Sequence, residues 1–176
     1  MQAMSTPGSV VERALRAARG EDALYEEVEA DAGANMQAAI VVVAGAAAFG
    51  IASLTLGGNP LSLVVGVVLG LLGWLGYAYA CFIIGTRVLH GPQTESSFSE
   101  VARVLGFASA PNVLLVLAGV PVLGFAVAAV VSVWGIVLTV IALRAALDFT
   151  LPRAIGTAIV AWILSALIRG IAYSLS

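Results

Sequence analysis

The sequence predicts an all-α polytopic membrane protein: a five-helix transmembrane bundle preceded by short N-terminal amphipathic helices. Three observations predict it. The chain is 61% hydrophobic and only 10% charged, whereas soluble domains carry roughly 25% charge. Its apolar residues lie in long uncharged runs, each near the ~20 residues that carry a helix across ~30 Å of hydrocarbon. Its arginines gather before the first run and in alternate loops, places that share one side of a five-span chain.

Residues 1–35 read as a cytoplasmic N-terminal segment. They hold seven acids and three arginines, net −4. Val11, Leu15 and Ala18 recur at helical spacing, as do Leu24 and Val28, with Gly20 between the sets. Two short amphipathic helices are expected, able to lie along the membrane interface. The acidic second helix could instead dock on the arginines at the helix ends, or the segment could be a solvated tail.

Residues 36–176 read as the transmembrane domain. Residues 36–56 contain no ionisable group, and Gly57-Gly58-Asn59-Pro60 is a dense turn signal. Residues 61–85 form a second uncharged run. Residues 86–103 gather Arg87, His90, Glu95, Glu100 and Arg103 among Ser, Thr, Gly and Pro, the composition of a loop in water. Residues 104–143 are forty in a row without charge, about 60 Å as one helix and twice the membrane thickness. They must fold back, and Gly119-Val120-Pro121 is where they can. Arg144 to Arg153 is a short charged turn before the last run. The expected spans are 36–56, 61–85, 101–119, 121–143 and 152–173.

Seven of the eight arginines fall before span one, or in and at the edges of the turns between spans two and three and between spans four and five. Positive charge favours the cytoplasmic face. The sequence thus predicts a multi-pass cell-membrane protein with its N-terminus cytoplasmic and its C-terminus outside. The first apolar run starts late and is long enough to span, so a cleaved signal peptide is not expected.

Ser97-Phe98-Ser99-Glu100 matches the capping box. Span three is therefore expected to begin in the interface with Glu100 and Arg103 wetted. Pro111 removes a backbone hydrogen bond, a loss that lipid does not make good. A kink is expected near 108–111, with Ser109 and Asn112 as local partners; with Pro111 they form a candidate intramembrane polar site, and Ser132 and Thr139 are further polar residues that could line a path for a neutral solute. Gly66, Gly70 and Gly73 share a stripe of span two, which suits close helix packing or a homo-oligomer. Arg144 and Asp148 are four apart, read as an ordinary helix-end pair with a docking pair as the sharper alternative.

No catalytic, cofactor or metal residues emerge. Cys81 stands alone in an apolar span, and His90 has no second His or Cys nearby. No ionisable group lies near the middle of a span, which argues against an ion-coupled carrier.

"FSEVARVLGFASAPNVLLVL", then another span, then "LRAALDFTLPRAIGTAIVAWIL", resembles the Yip family (the Ypt/Rab-interacting-protein domain). Gly106-Phe107 and Pro111 stand where that family has a Gly-aromatic followed by a Pro, and Arg144 to Arg153 matches its charged turn before span five. "GEDALYEEVEADAGANMQAAIVVV" resembles the approach to span one in prokaryotic members, and arginine without lysine points the same way. The resemblance covers residues 22–172. It implies a five-span fold and, in eukaryotic members, vesicle traffic with Rab-type GTPases. The short N-terminal segment does not carry that partner over.

The function expected is therefore non-enzymatic: a membrane-organising or adaptor protein. Its cytoplasmic face would be built from Arg87, Glu100, Arg103, Arg144, Asp148 and Arg153. Its partners would be the bilayer and an unidentified protein or lipid, not nucleic acid. The alternative is a transporter, channel or lipid-handling protein for a neutral or lipidic solute.

Overall fold

The computed structural model describes residues 8–91 and 96–174; the side chains of 62, 166 and 168–174 lie outside the described set, as does Glu95 of the loop expected at 86–103. The order is α1 (Val10–Ala18), α2 (Asp22–Ala30), α3 (Ala34–Thr55), α4 (Pro60–Ile83) continuing as a π-helical turn (Ile84–Val88), α5 (Phe98–Ala108) continuing as a 3₁₀ helix (Ala110–Gly119), α6 (Gly124–Leu147) and α7 (Leu151–Ser174). No strand occurs among the described residues.

Local chemistry sets the boundaries. The Ser9 hydroxyl accepts from Glu12 N–H and caps α1. Asn59 caps α4, where Pro60 occupies the first turn. The Ser97–Glu100 capping box forms at α5 in both directions, at 3.3 and 2.7 Å. Gly57, at φ +88°, closes α3 in the left-handed region that only glycine enters freely.

The third segment breaks at Ser109, where α5 and the 3₁₀ helix meet at 40°. Pro111 cannot donate to the i−4 carbonyl. The Ser109 hydroxyl donates 2.6 Å to the Gly106 carbonyl, and Asn112 N–H reaches only to Ser109.

Close approaches define the register. A Cβ built on Gly106 would lie 2.7 Å from Ala38 Cβ, one on Gly45 would lie 2.7 Å from Asn112 Cβ, and one on Gly119 would lie 3.0 Å from Ala52 Cα. The numbers rise together, so α5 and its 3₁₀ extension run parallel to α3 along most of its length. Thr55 seals the top, donating 3.1 Å to the Gly119 carbonyl. Helix α4 runs antiparallel to α3, with Gly70 on Ala46 and Gly50 on Leu63. Helix α7 runs antiparallel to α4: Leu89 meets Gly156, and the Tyr77 hydroxyl donates 3.3 Å to the Ala158 carbonyl.

These pairings define two ends. The charged end gathers the start of α3, the π turn, the start of α5, the end of α6 and the start of α7. The far end holds the uncharged turns at Gly57–Asn59 and Val120–Leu123. Helices α3, α4 and α6 are each long and apolar enough to cross a membrane, and the bent α5–3₁₀ pair makes a fourth when taken as one span. Their outer surfaces are apolar and exposed, as at Leu69, Leu72, Val133 and Val137, the pattern of a lipid-facing exterior. The protein is thus a helical membrane protein.

Helix α5 lies at the centre, with Val101 to Ala108 buried without a break. The N-terminal hairpin helps cover it: Ala17, Leu24, Tyr25 and Val28 are fully buried in the same core as Phe107, Leu143 and Ala158.

Candidate functional site

The charged end is where polar chemistry concentrates. Its base is the hairpin of α1 and α2, joined at Gly20, whose φ of +71° makes the tight turn. Arg13 is only 3% exposed. It pairs at 2.9 Å with both Glu27 and Asp31 and donates 3.1 Å to the Gln37 amide oxygen at the start of α3. Arg16 pairs with Glu21 at 3.0 Å and Glu27 at 2.7 Å. The acidic second helix therefore spends its key carboxylate on the first helix, not on the arginines at the bundle ends.

These contacts shift titrations. Burial pushes the Glu27 carboxyl up, but hydrogen bonds from Arg16 and Arg13 outweigh it and hold the group below its usual range. The Arg13 hydrogen bond lowers Asp31. Glu29 moves the other way, raised by burial and then by the nearby charges of Glu100 and Asp148.

Arg103 is the second anchor, and its placement corrects the wetted position expected from the sequence: it is 5% exposed. Its guanidinium donates 2.9 Å to the Val28 carbonyl and also to the Glu29 carbonyl. It reaches Asn35 Oδ1 at 3.2 Å and Ser99 Oγ at 3.0 Å. No ion pair joins it to a carboxylate among the described residues. It caps the C-terminal turn of α2 instead, where a cation meets the negative end of the helix dipole. The signal that could have found this was present: an arginine one turn inside an apolar helix is costly unless it has partners.

The other residues of the expected face behave differently. Arg87, Arg144 and Arg153 are exposed and make no ion pair among the described residues. Arg87 and Arg144 sit in the last turns of their helices, favourable for a cation; Arg153, in the first turn of α7, is not. Asp148 takes φ 49° and ψ 44°, ending α6 in the left-handed region. The helical geometry that would set it facing Arg144 stops one residue earlier. Glu100 is used in the α5 capping box.

Within the bundle, Asn112 is half-buried with its Cβ against Gly45, and its side-chain amide has no hydrogen-bond partner among the described residues. Of the glycine stripe, Gly70 packs on Ala46, whereas Gly66 and Gly73 have nothing within 4 Å of a built Cβ. At the far end, Phe49, Ala52, Ser53, Gly58 and Ala118 border an open hollow of about 380 Å³. Cys81 is fully buried. Among the described residues, no group of three or more His, Cys, Asp or Glu side chains could hold a metal ion.

Comparison with known families gives one match: the model described as the Yip1 domain covers residues 23–171. No curated protein and no solved structure matches the chain.

Proposed function

The chain belongs to the Yip1 domain family, and from that premise we propose that this membrane protein works by binding and organisation, not catalysis, through its charged end. In this reading it threads the bilayer five times, with the fifth pass in α7. The N-terminus and the charged end are cytoplasmic and the C-terminus is outside. The arginines of the turns support that orientation.

One observation carries the reading. The hairpin is not tethered loosely but is locked onto the bundle by Arg13 and Arg103, both nearly fully buried. The charged end is therefore one fixed surface, on which Arg87, Arg144 and Arg153 remain exposed. A surface ordered in advance loses little conformational entropy when a partner docks. The partner is a protein or a lipid with acidic groups.

The test is co-isolation. The protein is cross-linked in native membranes and purified, and co-isolating proteins and lipids are identified by mass spectrometry. The parent is compared with the Arg87→Gln, Arg144→Gln, Arg153→Gln variant. A stoichiometric partner lost in the variant, with its elution profile intact, is the expected result. A partner held equally by both, or solute flux through reconstituted vesicles with no partner, contradicts it.

A further inference from the structure

We infer that α1 is an in-plane interfacial helix whose outer face is seated in the bilayer at the boundary between headgroups and acyl chains. The inference shares the Arg13 anchor with the adaptor reading but does not need a partner at the turns, and its test reads the depth of α1 alone.

Helix α1 bridges two lipid-facing helices. Arg13 donates to Gln37 on α3, and the Trp134 indole on α6 donates 2.8 Å to the Ala18 carbonyl. Gly20 sits on α6, where a built Cβ would lie 3.1 Å from Ile141. Between these anchors α1 crosses the flank of the central segment close to its break, since it packs on both α5 and the 3₁₀ helix.

Residues on a helix are separated by about 100°, so the nine residues of α1 and Arg19 beyond them divide into three sectors. Val10, Arg13, Ala14 and Ala17 face the bundle, and Arg13 and Ala17 are buried. Glu12, Arg16 and Arg19 form a charged stripe. The third sector is Val11 and Leu15, 69% and 54% exposed, with the half-buried Ala18 behind them. An ordinary surface helix needs two sectors, one for core and one for water. A third sector, apolar and exposed, fits a third medium.

The neighbouring surface identifies that medium. The helices at the two anchors expose Met36 and Ile40 on α3, and Val133 and Val137 on α6. The apolar sector of α1 continues this lipid-exposed exterior, and the charged stripe faces the water side.

The experiment uses the full chain in a Cys81→Ala background, with an environment-sensitive fluorophore on Val11→Cys, Leu15→Cys or Glu12→Cys. Each variant is reconstituted in phosphatidylcholine vesicles carrying a nitroxide near the headgroup. Elution as the parent does in detergent selects the folded variants. Labels at 11 and 15 are expected to be shielded from iodide and quenched by the nitroxide lipid about twofold more than the label at 12. Equal iodide quenching at all three positions overturns the inference, because α1 then lies in water. Equal nitroxide quenching at all three overturns it too, because the helix then has no wet side.

Discussion

Removing the Arg103 side chain should loosen the N-terminal hairpin without unthreading the bundle. The side chain donates four hydrogen bonds. Two of them end on Val28 and Glu29 carbonyls in the last turn of α2, which have no further helix to bond to. Leaving a buried carbonyl unpaired costs about 1–3 kcal/mol, so Arg103→Ala should weaken docking by at least ~2 kcal/mol. At 1.4 kcal/mol per tenfold, that is roughly a 30-fold shift in the docking equilibrium. Amide hydrogen exchange on detergent-solubilised protein reads it directly. Residues 22–30 should exchange at least ~30-fold faster, while the middles of α3 and α6 hold their rates. Arg103→Lys keeps the charge but replaces the planar fork with a point donor, so an intermediate loss is expected. If residues 22–30 of Arg103→Ala exchange as in the parent, the hairpin is held by its apolar contacts and by the Arg13–Gln37 and Trp134–Ala18 hydrogen bonds, and the capping argument fails.

The glycines separate into two groups by thermal unfolding in detergent. Gly45→Val and Gly106→Val should each lower the midpoint, because even the first added carbon lies 2.7 Å from a neighbouring Cβ; overpacking of this kind costs typically ~1–3 kcal/mol. Gly73→Ala, with nothing within 4 Å, should be neutral or raise the midpoint. The hairpin should also respond to acid. Glu27 and Asp31 titrate below their usual range when docked, so their contribution is present above the unfolded carboxylate range, near pH 4, and is lost as the pH falls through the lowered values. Protection at residues 10–30, relative to the exchange of an unfolded chain at the same pH, should fall below about pH 4, the range in which unperturbed carboxylates protonate. Glu29 has the opposite sign: its raised value marks a charge that docking disfavours, so Glu29→Gln should slow hairpin exchange at neutral pH. Faster exchange in that variant would show Glu29 to be a docking contact.

Much of the bundle is legible along the chain because bilayer thickness acts on single segments. Each uncharged run can be measured against one length, and Gly57–Pro60 and Gly119–Pro121 mark their turns unaided. The Ser97–Glu100 cap is legible for the same reason: its partners are three residues apart. What resists reading is long-range. Arg13 meets Glu27 and Asp31 only after the Gly20 turn reverses the chain, and Arg103 reaches Val28 across 75 residues. Periodicity in α1 shows an apolar face but not which of three surroundings each stripe meets. Pro111 announces a disturbance, but the 3₁₀ form of the ten residues from Ala110 to Gly119 depends on packing against α3, where Gly45 and Ala52 admit the narrower, longer coil. The same packing fixes Asn112 over Gly45, a contact no local pattern announces.

The most direct test of the threading asks whether the bent third segment passes through or turns back. In a Cys81→Ala background, single cysteines at Gly57 and Val122, in the two uncharged turns, and at Thr150, in the charged turn, are labelled with a membrane-impermeant maleimide on intact cells and on inverted vesicles. If α5 and its 3₁₀ extension form one span parallel to α3, positions 57 and 122 react from the same side and position 150 from the other. Reaction of 57 and 122 from opposite sides would contradict the parallel register and the five-span topology built on it.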